Sequence, residues 1–99
     1  MNITYTNKNL KTEKLDWSLV QKEMKGKLGE DIYESWLKKL SFVEELNNYV
    51  LLSVSTRFIR DWITSRYLDE ILKLIKINNK NIRFIKLVSI LFGLKKYHK

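Results

Sequence analysis

Between residues 56 and 67 the chain reads TRFIRDWITSRY, and Phe58, Ile59, Trp62, Ile63 and Tyr67 recur at spacings of three and four. That is the period of an apolar stripe on a helix. Thr56 is placed to cap it, because its hydroxyl can accept one of the backbone N–H groups that a first turn leaves unpaired. The next apolar set, Leu68, Ile71, Leu72 and Ile75, is rotated away from the first, since each i to i+4 step drifts by about 40°. One straight helix cannot bury both sets against one surface. A bend or break is therefore expected near residues 66–68.

Upstream, Asp16 offers a side-chain cap, and Trp17, Val20, Met24 and Leu28 follow at helical spacing, predicting a first helix over 17–28. Gly26 weakens its last turn by about 1 kcal/mol relative to alanine, and Gly29 suits the left-handed position that ends a helix. A second helix is predicted over 30–40, with Glu30 and Asp31 at its positive N-terminal end and Lys38 and Lys39 at its negative C-terminal end. Ile32, Tyr33, Trp36, Leu37 and Leu40 form its buried stripe. So short a connection makes the two helices a packed pair.

After Leu40 the period changes. Residues 41–45 and 49–55 are rich in Phe, Val, Leu and Tyr, with Asn47-Asn48 between them as turn chemistry, which predicts a hairpin. The capped helix follows and is expected to continue in some form to Ile77. Residues 78–81 are a polar break, and 82–90 (IRFIKLVSI) reads as a third strand with apolar residues on both faces, as a covered strand requires. The expectation is one small α+β domain over 15–91, in the order α-α-β-β-α-β, with a three-stranded sheet packed against helices. Trp36, Trp62 and Tyr67 are assigned to its core. Residues 1–14 lack periodicity and read as a flexible arm; 92–99 form a basic tail carrying Lys95, Lys96 and Lys99.

Composition narrows the chemistry. Ninety-nine residues make one domain, hiding roughly 60 to 70% of the unfolded surface. With no cysteine there is no disulfide, thiolate metal site or cysteine nucleophile, which fits a reducing compartment. The single histidine, His98, sits beside the C-terminus. A net charge of +8 predicts attraction to polyanions, although the Lys, Ile and Asn enrichment is also what an A+T-rich genome produces. Residues 1–14 hold no apolar signal segment. The run 82–94 is interrupted by Arg83 and Lys86 and falls short of the roughly 20 residues that span a bilayer, so a soluble cytoplasmic protein with no membrane partner is expected.

Catalytic constellations are missing. Gly26-Lys27 lacks the upstream glycine and the following Ser or Thr of a phosphate-binding loop. The acidic residues Glu30, Asp31 and Glu34, and Asp61, Asp69 and Glu70, lie on solvated helix faces without histidine or cysteine to complete a metal site. No enzyme, cofactor or metal is expected. Gly26-Lys27-Leu28-Gly29 does match the GxxG loop by which KH domains clamp a nucleic-acid backbone, with Lys27 placed to neutralise phosphate; Gly29 as a helix stop explains the same residues.

Taken together, Trp17, the block Leu28-Gly29-Glu30…Tyr33…Ser35-Trp36-Leu37 and the stretch Arg57-Phe58-Ile59…Asp61-Trp62-Ile63…Tyr67-Leu68 resemble the N-terminal domain of DnaA, the bacterial replication initiator, over residues 15–90. The resemblance implies a KH-like fold without a functional GxxG loop. It also implies an assembly module that pairs with itself or with full-length DnaA, contacts the replicative helicase or accessory regulators, and touches single-stranded DNA weakly. On this resemblance Trp17 is the self-association residue and Phe58 the helicase-facing aromatic. The family's second-helix acidic residue falls at Ile32, a departure, with Glu30 and Asp31 beside it as substitute partner-binding groups. The linker, ATPase and duplex-reading parts of a whole DnaA are not in this sequence, and a natural short protein is the expectation. The alternative is a KH-like single-stranded nucleic-acid binder using Lys27, Arg57, Arg60 and the basic surface.

Overall fold

The computed structural model describes residues 14–90, so the arm up to residue 13, the tail 92–99 and His98 lie outside the described residues. Helix α1 spans Trp17–Leu28 and α2 Glu30–Ser35, followed by a 3-10 turn, Leu37–Lys39. Strands β1, Ser41–Glu45, and β2, Tyr49–Val54, form the hairpin; α3, Arg57–Arg66, and α4, Leu68–Asn78, lead to β3, Phe84–Ser89. The domain is α+β in the expected order, with the expected helix break realised as two helices.

That break falls at Tyr67, whose φ of −128° and ψ of −5° leave the helical region. Its backbone bridges the two helices: its N–H donates to the Ile63 carbonyl at 2.8 Å and its own carbonyl accepts from Ile71 at 3.0 Å. Reorientation lets both stripes reach the core. Ile63, Ile71 and Ile75 are all fully buried.

The second helix is shorter than its periodicity suggests. It ends at Ser35, Trp36 adopts φ −128°, and the chain tightens into the 3-10 turn. In a 3-10 turn residues three apart eclipse, so Leu37 and Leu40 point the same way and both are buried. Gly29 also differs from expectation. Its φ of 104° is positive, but its ψ of 145° lies outside the left-handed helical region and turns the chain sharply from α1 into α2.

β2 is the central strand, antiparallel to β1 and parallel to β3. Parallel neighbours cannot be joined by a tight turn, and the α3–α4 crossover supplies the connection. Val50, Leu52 and Val54 face the core with Ile85, while Tyr49, Leu51 and Ser53 alternate onto the other face. A bulge between Phe42 and Glu44 leaves Val43 half exposed on the β1 edge. β3 is two residues shorter at its start than the apolar run suggests: Ile82 is fully buried but lies in the loop, closed by its N–H donating to the Asn79 carbonyl.

Candidate interaction surfaces

Three separate aromatic groups reach the surface, Tyr49–Phe84 on the sheet and two that carry residues singled out in the sequence. The first of these two is at the start of α1, where Asp16 caps the helix, its Oδ1 accepting the Leu19 N–H at 3.3 Å. The entry is pinned from outside the helix as well: the Leu15 N–H donates to Glu45 Oε1 at 2.9 Å, and Asn79 Nδ2 donates to Glu45 Oε2 at 2.6 Å. Trp17, in the first turn, is half-buried; its ring packs 5.7 Å from Phe42 on β1. Leu19, 40% exposed, lies on the same helix.

The second group joins α2 to α3. Trp36 and Trp62 stack with centroids 3.7 Å apart, Phe58 approaches Trp36 at 6.2 Å, and Tyr67 approaches Trp62 at 5.7 Å. The Arg66 guanidinium lies 4.6 Å from the Trp62 ring centre. Phe58 heads this column at 68% exposure, so its benzyl group faces water while its neighbours anchor it. The core assignment of Trp36, Trp62 and Tyr67 needs correction: all three are half-buried, packed against the core but not inside it. Their period identifies a helix face; it does not distinguish the middle of that face from its rim.

The expected charged residues are dispersed. Glu30 and Asp31 are exposed at the start of α2, where Glu30 pairs with Lys25 at 3.9 Å. Lys25 also meets Glu34 at 3.6 Å, and Lys38 donates to Glu34 at 3.1 Å. The Lys38 hydrogen bond is the main reason the Glu34 carboxyl is held below its ordinary range; the slight burial opposes it, and the charges of Lys38 and Lys25 add to the lowering. Lys27 is exposed in the last turn of α1. Gly26, Lys27 and Leu28 are all helical, so three members of the GxxG tetrad sit in a helix end rather than a loop. Arg57 is exposed at the start of α3, and Arg60 Nε donates to its neighbour Asp61 at 3.1 Å.

Phe58 thus meets Trp36 and Trp62, whereas Trp17 belongs to the Phe42 group on another part of the molecule. Sequence pattern does not point to Glu45 and Asn79, which lock β1 to both the approach to α1 and the loop after α4. Their pairing spans 34 residues, and no local signal could reveal it. Among the described residues no group of three or more His, Cys, Asp or Glu side chains could hold a metal, and no helix is long and apolar enough to cross a membrane.

The model of the DnaA N-terminal domain matches residues 16–76, more than half of the chain. The chain belongs to the DnaA N-terminal domain family. The chromosomal replication initiator protein DnaA of Wolbachia pipientis wMel is 45% identical over 83 residues, which is 84% of this chain and 17% of that protein. The DnaA of Rickettsia massiliae is 38% identical over 73 residues, 74% of this chain and 16% of its own length. The chain thus spans about a sixth of these initiators. Within the DnaA N-terminal frame, the matched segment contains the Trp17 group at its start and the Trp36–Trp62 stack within it, and ends before β3.

Proposed function

We propose that this domain is a non-catalytic assembly module of replication initiation: it pairs with the N-terminal domain of DnaA, or with itself, through the Trp17 surface, and offers Phe58 to a second protein such as the replicative helicase or an accessory regulator. The observation that carries the reading is the exposure of Phe58 on a rigid aromatic base, in a chain of this family. A large apolar side chain held in water by ordered neighbours gains most by burial against a partner, and aromatic anchors commonly contribute more than about 1 kcal/mol at interfaces. Glu30 and Asp31 would supply a polar rim on the adjoining helix.

Two substitutions separate the two contacts. Sedimentation equilibrium of the chain alone and mixed with cognate DnaA should show pairing that Trp17→Ala weakens and Phe58→Ala leaves intact. Capture of helicase should show the reverse. A free copy of the domain acts by mass action, so its effect on initiator assembly should appear only near or above the dissociation constant of the pair. If neither self-pairing nor DnaA binding is detected with folded protein at a large excess, the assembly reading is wrong.

A further inference from the structure

Helix α1 carries Trp17 and Leu19 at the surface, yet apolar packing holds it along a narrow line. Of its 12 residues only Val20 and Met24 are buried, about one turn apart, while Trp17 and Leu28 pack against the core in part. Apolar burial is non-directional, so two side chains in one line press the helix onto the core but oppose rotation and sliding weakly. The far end of α1 is tied to α2 through Gly29. The end that bears Trp17 needs restraints of another kind.

Two adjacent asparagines at the end of α4 supply them. Asn78 Nδ2 donates to Glu23 Oε1 on α1 at 3.0 Å, across 55 residues of chain, and also to the Leu74 carbonyl at 3.0 Å, so both amide hydrogens are engaged. Asn79 Nδ2 donates to Glu45 Oε2 at 2.6 Å, and the other oxygen of that carboxylate accepts the Leu15 N–H at 2.9 Å, just before α1 begins. Asn79 Oδ1 accepts the Asn81 N–H at 3.0 Å, which fixes the way its amide faces. All the links to Glu23, Glu45 and Leu15 are half-buried. Helix α1 is thus anchored at Leu15 and again at Glu23, which lies roughly 9 Å beyond Trp17 along the axis. Two anchors so spaced fix its tilt as well as its position. Neither asparagine falls within the segment matched by the family model, which ends at residue 76.

We infer that Asn78 and Asn79 are positioning residues for the Trp17 surface: acting through Glu23 and through Glu45, they set the orientation in which α1 presents Trp17 and Leu19 to a partner. The inference rests on the assembly reading of that surface. Hydrogen bonds are directional and short in range, and those to a carboxylate are of the stronger kind, so this linkage restrains what apolar packing leaves free. The strand takes part on both sides. Phe42, on which the Trp17 ring packs, and Glu45, which holds Leu15, both belong to β1, so the support under the ring and the anchor before the helix move together. An interface aromatic contributes most when it fills a closely fitted pocket, and a small rotation of α1 spoils that fit without unfolding the domain. The Phe58 column stands on α2 and α3, outside this linkage.

Two measurements on the whole chain test this. Sedimentation equilibrium, run where each variant is folded by circular dichroism, should show Asn78→Ala and Asn79→Ala each weakening pairing by roughly five- to tenfold. Glu23→Ala should do the same, and Glu23→Gln should restore most of the affinity, because its amide oxygen can still accept from Asn78. The double variant Asn79→Ala with Glu45→Ala should pair no more weakly than Glu45→Ala alone, since the two act through one linkage. Ile63→Val, a buried change on α3 that lowers stability, should leave pairing at the parent's value. The second measurement is fluorine NMR of dilute, monomeric chain labelled with fluorotryptophan, in which the three tryptophans give separate resonances and Trp17→Phe assigns that of Trp17. Asn78→Ala and Asn79→Ala should move the Trp17 resonance and leave those of Trp36 and Trp62 in place. This signal does not require pairing: a parent chain that fails to pair sinks the assembly reading, while the fluorine spectrum still decides the seating of α1. The inference is overturned if the Trp17 resonance stays put in both asparagine variants, if those variants pair as a pairing parent does, or if Ile63→Val weakens pairing as much at equal loss of stability.

Discussion

Trp36 and Trp62 lie face to face, their ring centroids 3.7 Å apart and their planes within 8° of parallel. One closes α2 and the other sits in the middle of α3, so the stack fastens the N-terminal helix pair to the crossover between β2 and β3. Phe58 leans on this fastening from outside. The arrangement separates stability from exposure within one column of rings.

Trp62→Ala should accordingly cost about 2–4 kcal/mol, less than a fully buried tryptophan because the site is partly open. Phe58→Ala should change stability by no more than about 0.5 kcal/mol. Urea denaturation of the two variants checks the contrast. A double-mutant cycle between Trp36 and Trp62 should return a coupling of about 0.5–1.5 kcal/mol.

The two glycines flanking Lys27 should respond in opposite directions. A Cβ at Gly26 meets nothing within 4 Å, and Gly26 is helical, so Gly26→Ala should stabilise by about 0.5–1 kcal/mol. At Gly29 there is equal space, but φ is 104°. Gly29→Ala should destabilise by about 1–3 kcal/mol through backbone strain, and paired thermal melts will distinguish them.

Glu45 is expected to matter more than its position on an edge strand suggests. Its two oxygens accept from Leu15 N–H and Asn79 Nδ2, and hydrogen bonds to a charged group contribute about 1.5–3 kcal/mol. Glu45→Ala should lower the stability by about that much. Hydrogen exchange should show faster opening at Leu15 and at the loop after α4, while the far end of the sheet keeps its protection.

Glu34 gives a signed pH dependence. Its folded carboxyl is held below the ordinary value of 4.5 by the Lys38 hydrogen bond first and by the nearby lysine charges. A lowered folded pKa means stability that is present above the unfolded value and is lost as pH falls through the folded one. The contribution should therefore be constant at neutral pH and fade below about pH 4.5. Glu34→Gln should remove that part of the acid limb, and because the group is exposed, added salt should shrink the difference. Melts between about pH 3 and pH 7 at two salt concentrations, with those limits set about the ordinary carboxyl range, provide the measurement.

What the sequence determined by itself is whatever depends on neighbours in the chain. Asp16 and Thr56 cap the helices they precede, and both do so through hydrogen bonds to the residue three positions on. The drift of the apolar stripe beyond Trp62 required a break, which Tyr67 provides; the turn at Asn47-Asn48 and the change of period after Leu40 specified the hairpin. Only the tertiary structure decided how deeply each stripe is buried. Periodicity told that Trp36 and Trp62 share an apolar helix face with Leu37 and Ile63, but the first pair lies at the rim and the second in the core, because depth depends on where the other helix and the sheet end. Nor could local pattern place Phe84 on Tyr49 or Asn79 on Glu45, since those contacts join residues about 35 apart in the chain and exist only once the crossover has set β3 beside β2.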